Sequence, residues 1–293
     1  MKEFEYLAPN TLTEAISLAE QYGADSYFLA GGTDLIVQMK RGIRYPSCLI
    51  NLKRISKLNG ISYSEQDGLH MGPLVTHNSL AEHPIIGEKY LFLAEAASNI
   101  GTFQIRERGT IGGNICNGSP AADTISPLIC LEAKLKLQGT GKARVVSIED
   151  FFVGPQKTDL RAGEILSQIE IPTLPPRTGS AYLKLGMRKA LEVAIVGVAA
   201  LITLDQDKEV CVGARISLAS VAPTPLPCRK AEAILVGQKL EDVIFERAAR
   251  AAQEAAKPIS DLRSSAEYRR EMVYVLTKRA LGQASKRALG SDN

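Results

Sequence analysis

Two diglycine loops constrain this chain more than any other feature. The first lies in LAGGTDL (29–35), after the short apolar run Tyr27-Phe28-Leu29 and before the helix-like spacing of Leu35, Ile36 and Met39. The second lies in TIGGNICNGSPAAD (110–123), where Ser119-Pro120 stops the loop and Asp123 precedes the apolar run from Ile125 to Leu131. Glycine reaches positive φ without a β-carbon clash, so the expectation is a pair of concave nests of backbone N–H groups. Any other residue in such a conformation would cost roughly 1–2 kcal/mol, and its side chain would block a ligand. Two such loops, each with a threonine close by, suit a ligand carrying two phosphates. The plainer alternative is a glycine turn before a helix. Neither stretch is a dinucleotide fingerprint or a P-loop: no G-x-G-x-x-G occurs, and GPQKT (154–158) lacks the Walker spacing.

A chain of 293 residues suffices for two domains. A net charge of +3, with Lys and Arg read as interleaved with acids, argues against nucleic acid as a partner. No apolar run approaches spanning length, and MKEFEY at the start lacks the apolar core of a signal peptide, so membrane insertion is not expected and a cytoplasmic location is. The five cysteines form no C-x-x-C pair, which argues against a cluster or structural zinc on this chain. The histidines at 70, 77 and 83 read as lying away from both loops and receive no role.

In order, a β-α-β-α-β unit of about fifty residues is expected first, its first helix opened by the capping box TLTE (11–14). A second lobe follows, with short paired strands near 60–72, broken helical sequence at 76–98, a hairpin over 133–146 and a last strand at 164–171. After the proline-rich 172–179, three antiparallel strands and three helices are expected. Tyr268, Met272, Val275 and Leu276 mark the buried stripe of the final helix. Residues 284–293 are expected to fray.

The pair AGGTDL (30–35) and TIGGN (110–114), followed by SPAAD (119–123), resembles the FAD-binding medium subunits of molybdenum hydroxylases, a group that includes xanthine and carbon monoxide dehydrogenases. The likeness runs from Phe4 to about Leu281. It implies an α+β chain: a two-lobed FAD-binding domain of the PCMH/vanillyl-alcohol-oxidase type over 1–175 (lobes about 1–55 and 56–175), then a smaller domain over 178–283. By the same resemblance, Leu29, Ala30, Gly31, Gly32, Thr33, Asp34 and Leu35 in the first loop hold FAD, with Thr110, Ile111, Gly112, Gly113 and Asn114 in the second. Asp123, Ile100, Leu166 and Lys184 match further cofactor contacts, the lysine near the pyrimidine end of the flavin. A first-turn helix carboxylate, a core isoleucine and a solvated strand lysine are the competing accounts for Asp123, Ile100 and Lys184.

The resemblance also implies partners: a small iron–sulfur subunit carrying [2Fe–2S] clusters, a large molybdopterin subunit, and NAD or another electron acceptor, in a dimer of heterotrimers. No catalytic residue for the organic substrate and no metal ligand is expected on this chain. Local runs lean toward the xanthine dehydrogenase branch: NICNG (114–118), FFVGPQKT (151–158) and APTP (222–225). Arg106 and Arg108 are candidates for the docking side, and the loop 186–193, with Arg188, Lys189 and Glu192, for the acceptor's route. A self-sufficient flavoprotein oxidase and a flavin-free nucleotide- or phosphate-binding module remain as alternatives.

Overall fold

The computed structural model describes residues 2–188 and 191–290; Lys189 and the last three residues of the expected frayed tail lie outside them. The first lobe is a three-stranded parallel sheet, ordered Glu5–Leu7, Cys48–Asn51, Ser26–Leu29. Helices Leu12–Tyr22 and Leu35–Lys40 make its crossovers. The first helix starts at its capping box: the Thr11 hydroxyl accepts the Glu14 N–H, while the Glu14 carboxylate accepts the N–H of Asn10, one residue before the cap. Its apolar face, Ala15, Ile16 and Ala19, is buried in one cluster with Cys48 and Ile50 of the central strand. The loop after Ser26–Leu29 therefore leaves the carboxyl end of a parallel strand, where α/β sheets present their ligand-binding loops.

The second lobe is a five-stranded antiparallel sheet ordered Ile61–Ser64, Gly68–Met71, Ile165–Ile171, Lys134–Gln138, Arg144–Ser147. Its central strand comes last in sequence. The intervening chain supplies the helices His77–Glu82, Pro84–Lys89, Leu91–Ser98, Phe103–Arg106, Ile111–Asn117 and Ile125–Cys130. Phe92, Leu93, Ile111, Ile115 and Leu128 from these helices, with Tyr90 between two of them, fill the core against Leu69, Leu135 and Ile169 of the sheet.

The remaining third pairs Thr178–Leu185, Val196–Leu204 and Cys211–Ala219 in antiparallel order. A two-residue strand, Leu226–Pro227, adds a fourth member to the three expected. Every residue of Val196–Leu204 is buried, and the period-two alternation of a strand explains why. Ala199 and Leu201 enter the core of the second lobe, while Val198, Ala200 and Ile202 belong to the other core, where the strand packs on the helix Ala266–Leu289 and that helix on Asp242–Ala255.

Two expectations about the last helix are corrected. It does not fray from residue 284 but runs to Leu289 and is capped by the left-handed Gly290. Ala284 and Ala288 are buried in it, and a β-carbon on Gly179 would lie 2.1 Å from the Ala284 carbonyl oxygen, so strand and helix touch backbone to backbone. The Arg287 guanidinium adds bonds to the Ser180 carbonyl and the Glu95 carboxylate. The buried stripe agrees with the expected one at Leu276, and Met272 packs partly buried against the core, but its remaining positions differ. Arg269, Val273, Leu276 and Ala280 face inward, while Tyr268 is 47% exposed. An arginine can occupy that stripe because its guanidinium reaches the Ile195 and Ser220 carbonyls and the Asp261 carboxylate.

Candidate functional site

The first diglycine loop keeps its backbone donors free. No hydrogen-bond acceptor among the described residues meets the N–H groups of Gly31, Gly32, Thr33, Asp34 and Leu35. Gly32 takes φ of +79°, the conformation for which a glycine is needed. Gly31 is required for a different reason: a β-carbon there would lie 2.1 Å from the Arg108 carbonyl oxygen. The first loop thus rests on the backbone just before the second.

The second diglycine is not the positive-φ nest that its sequence suggested. Gly112 and Gly113 lie in the first turn of the helix Ile111–Asn117, and neither has positive φ. The donors of that turn are already used. The N–H of Ile111 goes to the Val75 carbonyl and that of Gly112 to the Pro73 carbonyl. Gly113 donates to the Thr110 hydroxyl, the helix cap, and Asn114 to the Thr110 carbonyl. A glycine is needed at 112 because a β-carbon would sit 2.3 Å from Pro73 Cβ. At 113 it would come 2.9 Å from the capping hydroxyl.

Between the loops lies a cleft of about 810 Å³, within the range of cofactor sites. Leu29, Ala30, Gly31, Gly32, Thr33, Asp34, Leu35, Ile100, Thr110, Gly112, Gly113, Asn114, Asp123 and Leu166 all line it. Ile111 does not: its side chain is fully buried in the core of the second lobe. Lys184 does not line it either, and it is no solvated lysine. Its ammonium donates to Asp123 Oδ2 at 2.8 Å, to the Asn99 carbonyl at 2.9 Å and to the Glu192 carbonyl at 3.0 Å. Those acceptors take all three of its protons, leaving none for a ligand.

Asp123 therefore stands at the junction of three elements. Its second oxygen accepts the Tyr182 hydroxyl at 2.6 Å. Burial raises its pKa, opposed by the charge and hydrogen bond of Lys184 and by the Tyr182 hydroxyl. The Tyr182 phenol is itself driven well up by burial and by the carboxylate beside it. Through Lys184 the strand Thr178–Leu185 is joined to the turn at Ile100 and to the loop carrying Glu192. That loop is closed on itself by the Glu192 carboxylate, which accepts the Met187 and Arg188 N–H groups. Leu191, Glu192 and Val193 line the cleft.

Several lining residues carried no sequence signal. Arg44 stacks on Tyr27, 5.0 Å from the ring centroid. Cys116 also lines the cleft, its thiol pushed up to about 12 by burial. His77, read as remote from both loops, is in the wall beside Gly109. Sequence spacing could not reveal this, since thirty-two positions separate it from Gly109 and only folding joins them. The docking candidates also divide. Arg106 is tied inward to Asn78 Oδ1 and the Ile100 carbonyl, whereas Arg108 is exposed and close enough to Lys53 to help lower its pKa, after burial. Nor are the cations evenly interleaved: residues 35–64 contain six Lys and Arg and no acid.

Comparison with known proteins places this geometry. Residues 2–174 match the FAD binding domain in molybdopterin dehydrogenase, and residues 181–284 the CO dehydrogenase flavoprotein C-terminal domain. The carbon monoxide dehydrogenase medium chain of Afipia carboxidovorans is 36% identical, with 97% of this chain and 98% of that relative covered. The xanthine dehydrogenase FAD-binding subunit of Escherichia coli O157:H7 is 32% identical, with 96% and 95% covered. Among solved structures, carbon monoxide dehydrogenase from Hydrogenophaga pseudoflava superposes with a TM-score of 0.94 at 36% identity, covering 98% of each chain. With both domains and nearly the whole length matched, this chain belongs to the FAD-binding medium subunits of the molybdenum hydroxylase family.

Proposed function

We propose that the chain is the electron-transfer subunit of a multisubunit molybdenum hydroxylase, receiving electrons from a small iron–sulfur subunit and passing them to NAD or another acceptor. The observation that carries this reading is the cleft, walled by both diglycine loops, with a run of unpaired backbone N–H groups at residues 31–35. Such donors suit a diphosphate, whose charge they meet without a competing protein acceptor. Bound FAD supplies the redox chemistry, mediating between one-electron and two-electron carriers. The chain's own residues hold and orient it. Leu166 and Ile100 offer apolar wall, and Asp123 is a carboxylate fixed from behind. Lys184 acts through Asp123 rather than on the ring. Among the described residues no group of three His, Cys, Asp or Glu side chains is arranged to hold a metal, so we assign the [2Fe–2S] clusters and the molybdopterin to the small and large partner subunits, in a dimer of heterotrimers. Exposed Arg108 and its neighbour Lys53 offer a basic edge beside the cleft for the cluster-bearing partner.

The finer reading is a purine substrate, which rests on the NICNG, FFVGPQKT and APTP runs; relatives named for carbon monoxide and for xanthine lie at 36% and 32% identity. No helix among the described residues is long and apolar enough to cross a membrane, and a complex that reduces NAD would work in the cytoplasm. Purification tests the coarse reading: the chain should retain FAD and carry no stoichiometric molybdenum or iron. Molybdenum bound to this chain alone would refute the subunit assignment. Hydroxylation of xanthine by the reconstituted complex, against carbon monoxide and nicotinate as controls, tests the substrate.

A further inference from the structure

His77 belongs to neither diglycine motif, yet it is built into the wall where the two loops meet. It opens the helix His77–Glu82, capped by the Thr76 hydroxyl, and Thr76 bridges to Thr110. Its backbone N–H donates to the Gly109 carbonyl at 3.1 Å, which fixes it against the residue before Thr110. The residue is only 3% exposed, although it lines the cleft. Its ring has two distinct edges. Nδ1 is shut off from solvent and meets no hydrogen-bond partner. Nε2 is absent from the buried unpaired atoms and has no partner among the described residues, which leaves it the cleft. Cδ2, bonded to Nε2, lies 3.2 Å from where a β-carbon on Gly109 would stand, and the Thr33 hydroxyl lies 3.5 Å from the same point. The Nε2 edge and Thr33 thus flank one glycine.

Burial, and then the Arg106 guanidinium, push the imidazole down to about 4, so the ring is neutral at physiological pH. A neutral imidazole carries one proton, and the tautomer follows from the surroundings. A proton on Nδ1 would be a buried donor facing nothing, the arrangement folded proteins tolerate least. On Nε2 the same proton reaches the cleft.

We propose that His77 is a further cofactor-binding residue of this cleft, a neutral imidazole whose Nε2–H donates to an acceptor atom of bound FAD beside the Thr33 hydroxyl. The inference rests on the FAD reading of the cleft, and its test separates the two. The full-length chain is stripped of FAD and retitrated, following flavin fluorescence, for wild type, His77→Phe, His77→Gln and His77→Asn. Phenylalanine fills the ring's volume without a donor. Glutamine places its amide nitrogen near the Nε2 position, whereas asparagine reaches only toward Nδ1. His77→Phe and His77→Asn should bind FAD about ten-fold more weakly, the loss expected for one hydrogen bond. His77→Gln should stay within about three-fold of wild type, because its donor is retained. The melting temperature of apo His77→Phe should not fall, since the orphaned Nδ1 is gone. Unchanged FAD affinity in His77→Phe, or equal losses in the Gln and Asn variants, would overturn the inference while leaving the FAD reading intact. A wild-type chain that took up no FAD would sink both.

Discussion

Replacing Lys184 by methionine isolates the buried carboxylate at the junction of the three elements. The lysine and aspartate side chains are 9% and 8% exposed, so neither charge is well solvated. Methionine keeps most of the stem volume but removes the ammonium, the Asp123 bond and the ties to the Asn99 and Glu192 carbonyls. Breaking a buried pair by deleting one partner costs about 3–5 kcal/mol, because the remaining charge is left uncompensated. At about 2–4 °C per kcal/mol for a chain of this size, the melting temperature at pH 7 should fall by roughly 10 °C.

The pH dependence has a definite sign. Burial already holds the folded-state pKa of Asp123 above its unfolded value. A carboxyl raised in this way contributes stability below the unfolded pKa and loses it as pH rises through the folded pKa. Without Lys184 the folded pKa climbs further. The deficit relative to wild type should therefore be largest at neutral pH and shrink as pH falls toward the ordinary carboxylate range. Adding Asp123→Asn should recover part of the loss at pH 7. Circular-dichroism melts of the full chain at pH 5 and pH 7.5 measure all three proteins. A loss under about 1 kcal/mol, the scale of an exposed pair, or one independent of pH, would refute the buried-pair account.

Two further outcomes follow from the close approaches in the fold. Gly31→Ala and Gly112→Val should each lose FAD by flavin absorbance after gel filtration, at a stability cost of about 1–3 kcal/mol typical of overpacking, because their β-carbons would meet the Arg108 carbonyl and Pro73; full FAD occupancy would show that these contacts do not shape the cleft. Deleting residues 284–293 should lower the melting temperature by several degrees, since it removes buried Ala284 and Ala288 and the Arg287 bonds to Ser180 and Glu95; an unchanged melt would restore the frayed-tail expectation.

Local chemistry made much of this protein readable from the amino-acid order. The capping box at 11–14 and the apolar stretch Val196–Leu204 act through neighbours a few residues away, so their spacing suffices. The TIGGN and AGGTDL motifs marked the cleft for the same reason, since each is a contiguous backbone turn. The purpose of their glycines was another matter. Gly32 needs its positive φ, as the motif suggests, but Gly31 and Gly112 are required by Arg108 and Pro73, far away in sequence. A close approach between segments leaves no periodicity for either segment to display.

The same distinction separates the remaining residues. From its own order the chain determined the two diglycine motifs, the β-α-β unit that presents the first of them as a loop, and the paired strands and hairpin of the second lobe. Tertiary structure alone decided that Lys184 spends its three protons on Asp123, Asn99 and Glu192, that Ile111 faces the core, and that His77 stands in the cleft wall. It also carried the last helix on to Leu289, because Ala284 and Ala288 found a strand to pack on. Backbone conformation is set by each residue and its near neighbours, whereas the partner of a charge or the burial of a face is set by whatever folding brings alongside.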